Sequence, residues 1–69
     1  MKTYTLEKFF KKFPSISIQS IAERTGINPS LMRQYAVGIK NPSLERLEII
    51  EKAIHDIGKE MADVKIISS

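Results

Sequence analysis

An all-α fold follows from three observations on this 69-residue chain. Apolar residues recur every three or four positions in four separate stretches, the period of a helix with one buried face. Each stretch is preceded by a Thr, Ser or Asn able to cap a helix, and Gly or Pro stands between stretches. The one alternating segment, Ser15-Ile16-Ser17-Ile18-Gln19-Ser20, is squeezed between helical patterns and has no room to find a sheet partner. Four helices in one domain over residues 1–69 are expected.

The first helix begins after Thr5, a plausible N-cap. Leu6, Phe9, Phe10 and Phe13 stand at i, i+3, i+4 and i+7, a full apolar stripe expected to be core. Glu7 lies at the positive end of the helix dipole. Pro14 disfavours helical geometry at Phe13 and ends the element there. Ser17 is the expected cap of a second helix over Ile18–Thr25, closed by Gly26, which alone takes a left-handed C-terminal conformation without steric cost. Asn28 caps and Pro29 opens a third helix over 29–37. Gly38 closes it. Two helices of about eight residues around so short a corner make a helix-turn-helix. Pro42-Ser43 announces a long fourth helix from about 44 to 57 or 62, with Leu44, Leu47, Ile50, Ile54, Ile57 and Met61 at helical spacing; Gly58 makes its end ambiguous. Residues 62–67 are expected as an extended tail or a short strand, whose edge would invite a second copy.

The third helix sorts into two faces. Met32 and Tyr35 point to the core, whereas Ser30, Arg33, Gln34 and Val37 point out, a short, hydrogen-bonding set able to reach base edges in a major groove. Ser17 and Gln19, at a helix N-terminus, and Lys40 and Asn41, beyond the third helix, are suited to phosphates. The charge distribution agrees. Residues 1–42 hold seven Lys or Arg against two Glu, net +5, whereas residues 43–69 hold four against six, net −2.

Other chemistries lack their parts. Glu48, Glu51 and His55 share a helical face, but a lone His among carboxylates on a charged helix reads as solvated, so no metal is expected. One His without a nucleophile motif supports no acyl transfer, and three isolated glycines cradle no phosphate. Neither catalysis nor a cofactor is expected. With no Cys, no apolar run of membrane-spanning length and no apolar signal segment, a cytoplasmic protein is expected, without membrane partners. At 42% hydrophobic residues and this length, dimerisation would help stability.

Ile21-Ala22, Gly26-Ile27-Asn28, Met32, Tyr35, Gly38, Pro42-Ser43 and Leu47 together resemble the Xre family, the Cro/CI-like helix-turn-helix of phage and bacterial repressors. The resemblance implies a lambda-repressor-like bundle of four to five helices. It implies base reading by Pro29, Ser30, Arg33 and Gln34, and phosphate contacts from Ser17, Gln19, Asn28, Lys40 and Asn41. The chain departs from that pattern at Pro29, which has no donor, and at Ala36, where the family often has Glu. The aromatic run Phe9-Phe10-Lys11-Lys12-Phe13 and the ending Ile50 to Val64 are similar to the C-terminal DNA-binding domain of HicB-type antitoxins. Those carry a toxin-binding domain that is not in this sequence, so a toxin partner would be reached only through it.

The expected function is sequence-specific binding of double-stranded DNA by a homodimeric transcriptional repressor on a palindromic operator, autoregulatory if the antitoxin resemblance holds. The alternative is a protein–protein module on the same scaffold without DNA binding, toward which the apolar Val37 and Pro29 point.

Overall fold

The computed structural model describes residues 2–68. Four helices follow one another: α1 (Leu6–Lys12), α2 (Ile18–Thr25), α3 (Pro29–Ala36) and α4 (Leu44–Ala62). Among the described residues there is no strand. The all-α expectation holds at the lower helix count.

Each helix begins on the side chain the sequence marks. Thr5 Oγ1 accepts from the Lys8 N–H at 3.2 Å, Ser17 Oγ from Ser20 N–H at 3.2 Å, and Ser43 Oγ from Arg46 N–H at 3.2 Å. Asn28 Oδ1 accepts from Ser30 N–H at 2.8 Å, with Pro29 next in the first helical position. These bonds satisfy amides left without partners inside the helix. Pro14 ends α1 as expected, with Phe13 as its C-cap.

The core is built mainly from α2, α3 and α4. Ile21, Met32 and Ile50, one from each, are its largest fully buried side chains, joined by Ala22, Ile27, Tyr35 and Ile57. α2 packs on both α3 and α4, while α1 packs on α3. Leu6 and Phe10 of α1 lean on this core half-buried, and no residue of α1 is fully buried. The expected aromatic core stripe is therefore corrected. Phe13 is exposed, and Phe9 sits in a row of rings, 5.3 Å from Phe10 and 5.1 Å from Phe13, with Tyr4 edge-on to Phe13 at 5.9 Å.

Three further expectations change. α3 stops at Ala36 rather than Val37, because Val37 is already its C-cap, donating its N–H to Arg33 O. α4 passes through Gly58 without a break and runs to Ala62, since one glycine costs a helix only about 1 kcal/mol. Leu44 and Met61, at the two ends of α4, are exposed, as the other helices cover only its middle. The segment after α4 forms no strand: Val64, Ile66 and Ile67 are exposed.

Candidate nucleic-acid interface

The corner between α2 and α3 sets the interface, and its geometry is fixed from within. Gly26 takes the left-handed conformation at φ 73° and returns its N–H to Ala22 O. Thr25 Oγ1 donates back to Ile21 O at 2.8 Å and itself accepts from Ile27 N–H at 3.4 Å. One hydroxyl thus binds the end of α2 to the chain leaving it, while Ile27 is buried beneath. Ala22 and Ile21 on one side and Met32 and Tyr35 on the other then hold the two helices against each other.

On α3, Met32, Tyr35 and Ala36 face inward and Ser30, Arg33 and Val37 face outward. Pro29 and Gln34 are half-buried at the edges of that outer face. The division expected from helical spacing is observed for Met32, Tyr35, Ser30, Arg33 and Val37, whereas Gln34, expected outward, is half-buried. Beyond the helix the chain doubles back on it: Gly38 adopts φ 84°, and Gln34 O accepts from Ile39 N–H at 3.0 Å and Lys40 N–H at 3.3 Å. This ties the Lys40 backbone to the last turn of α3, with exposed Asn41 next to it.

The expected phosphate residues divide into two groups. Lys40 and Asn41 stand together after α3, and Asn28 stands at its start. Ser17 and Gln19 begin α2, at the opposite end of that helix from the corner. Two of these side chains are partly engaged. Asn28 Oδ1 is taken up by its capping bond, which leaves only the amide Nδ2 to donate, and Gln19 Nε2 donates to Glu23 Oε1 at 3.3 Å.

The basic side chains also divide. Arg24 is drawn away from the interface by a bidentate bond to Glu60 of α4, at 2.6 and 2.9 Å. That bond holds the Glu60 carboxyl below its ordinary value and raises Arg24 further. Lys11 lies 3.8 Å from Glu7, and Lys52 lies 3.0 Å from Asp56, whose carboxyl the lysine hydrogen bond holds down. Among the described residues no carboxylate pairs with Arg33 or Lys40. Their charge is therefore available to something outside the chain.

One structural contact was not evident in the sequence. Arg46 Nη1 donates to the Tyr35 hydroxyl at 2.9 Å, joining the first turn of α4 to the buried face of α3. The two residues are 11 apart, on different helices, so no local spacing announces the bond. The Arg24–Glu60 pair, 36 residues apart, is hidden for the same reason. The Gln19–Glu23 bond has the i, i+4 spacing that would have found it.

No family model, curated protein or solved structure matches this chain.

Proposed function

We propose that this chain binds double-stranded DNA sequence-specifically, with α3 in the major groove, as a homodimeric transcriptional repressor of the Xre type. The observation that carries the reading is the outer face of α3. Arg33 projects from a braced corner with no carboxylate partner, Gln34 borders it, and unpaired Lys40 is tied by its backbone to the helix end. In this reading Arg33 donates to guanine and Gln34 pairs with adenine, each good bidentate contact giving roughly 1–3 kcal/mol of discrimination. Ser30 and Pro29 meet the groove at the start of the helix. Lys40 and Asn41 meet the phosphates on one side, with Ser17, Gln19 and the Asn28 amide on the other. Two copies related by a two-fold axis read half-sites about one helical turn apart. Repression then consists of occupying the operator. The antitoxin resemblance adds that the operator would lie before the chain's own gene.

The test is binding to random duplex DNA across a salt series, followed by selection of the bound sequences. A steep salt dependence and an enriched palindrome support the reading; no binding at low salt overturns it in favour of a protein partner. Two substitutions separate the roles. Arg33→Ala should relax preference at one base position, costing roughly 1–3 kcal/mol on the selected site and little on random DNA. Lys40→Ala should weaken all sequences alike and reduce the salt slope by about 1.

A further inference from the structure

α1 and α4 do not close on each other. Between them runs a groove of about 1050 Å³, floored by Leu6, Phe9, Leu47, Ile50 and Ile54. Ligand pockets for small molecules run to about 1,000 Å³, so this groove has room for a stretch of polypeptide. Its α4 wall extends from Leu44 to His55, about 17 Å at the helical rise per residue. Glu48 and Glu51 stand along that wall, and Leu44 at its end is 73% exposed.

The same molecule carries an extended apolar segment with nothing against it. After α4 ends, Val64, Ile66 and Ile67 are 61%, 88% and 79% exposed. Scattered surface apolars need no explanation, but three within four consecutive residues form a patch that does. Five residues, Val64 to Ser68, cover about 17 Å when extended, the length of the groove wall. In an extended strand Val64 and Ile66 share one face, and Lys65 lies on the other. With Val64 and Ile66 turned into the groove, Lys65 and Ile67 face away from it.

The segment cannot fill its own groove. From Asp63 back to Leu47 is about 24 Å along α4, whereas Val64 to Ile67 reach only about 13 Å. We infer that the groove between α1 and α4 receives residues 64–68 of a second copy, and that the two copies exchange these segments about a two-fold axis. Such an interface is self-complementary, each copy giving one segment and taking one, so it closes at two. This interface specifies the homodimer of the proposed function, but no step of it requires DNA.

Sedimentation equilibrium of the full chain without DNA tests it. The wild type should sediment at twice 7.9 kDa at tens of micromolar. Val64→Asp with Ile66→Asp should weaken self-association by about 100-fold or more, with helical circular dichroism unchanged because the segment lies outside α4. Leu44→Glu, at an exposed position on the groove wall, should weaken it as well. Because the chain has no cysteine, Leu47→Cys mixed with Ile66→Cys should give a disulfide-linked heterodimer under mild oxidation. A wild type that stays monomeric at about 1 mM overturns the inference. So does a dimer that survives the Val64 and Ile66 substitutions. A groove-and-segment dimer that binds no DNA leaves this interface standing and removes only the DNA reading.

Discussion

At the scale of the residue, two glycines turn the chain at the ends of α2 and α3, and their surroundings differ. Gly26 has φ 73° and open space where a Cβ would stand, so Gly26→Ala meets only the backbone cost of a left-handed residue, about 1–2 kcal/mol. Gly38 has φ 84°, and a Cβ there would lie 3.1 Å from Glu7 Oε1. Gly38→Ala should therefore cost slightly more than Gly26→Ala. That excess should vanish when Glu7→Ala is added, while Gly26→Ala stays indifferent to Glu7. Thermal unfolding resolves this, at about 4–8 °C per kcal/mol for a domain of this size. Gly26 and Gly38 were legible because only glycine takes such a φ cheaply. The Arg46–Tyr35 bond was not, because a guanidinium and a hydroxyl on different helices carry no local signature.

At the scale of the element, helix starts were legible and helix faces less so. Thr5, Ser17, Asn28 and Ser43 act on amides two or three residues away, so the sequence alone places them. Burial depends on which helix arrives from elsewhere. Leu44, Met61 and Phe13 fit an apolar stripe and remain exposed, since a stripe states what a helix can bury and not how much of it finds a partner. Between elements, the Arg24–Glu60 clamp joins α2 to the last turns of α4. Glu60 titrates below its ordinary value of 4.5 in the folded chain. Its contribution to stability is thus complete above that value and is lost as the pH falls through the depressed one. Glu60→Gln should lower the melting temperature slightly near neutral pH, and the difference from wild type should shrink progressively as the pH is taken below 4.5. Both partners are exposed, so added salt should shrink the difference too.

At the scale of the whole molecule, the charge split of the sequence becomes a division of labour. Arg24 from the basic half is neutralised by Glu60 from the acidic half, while Arg33 and Lys40 stay without a carboxylate partner among the described residues. That Ser30, Arg33 and Val37 share the outward side was legible because helical spacing fixes which side chains share a face, whereas the partial burial of Gln34 was not. The engagement of Asn28 and Gln19 in bonds of their own was not, since it depends on rotamers and neighbours. Shape matters as well. The molecule measures 44 × 28 × 21 Å, clearly longer in one direction than in the other two. α1 has no fully buried residue and packs mainly on α3, yet it forms one wall of the groove. Its amides should therefore exchange with deuterium faster than those of α2, α3 and the middle of α4, through a local opening that leaves the other helices folded. A second chain seated in the groove would have to leave before α1 could swing out. Protection of α1 should consequently rise with protein concentration while the remaining helices keep the same rates, making the fraying of the first helix a gauge of assembly.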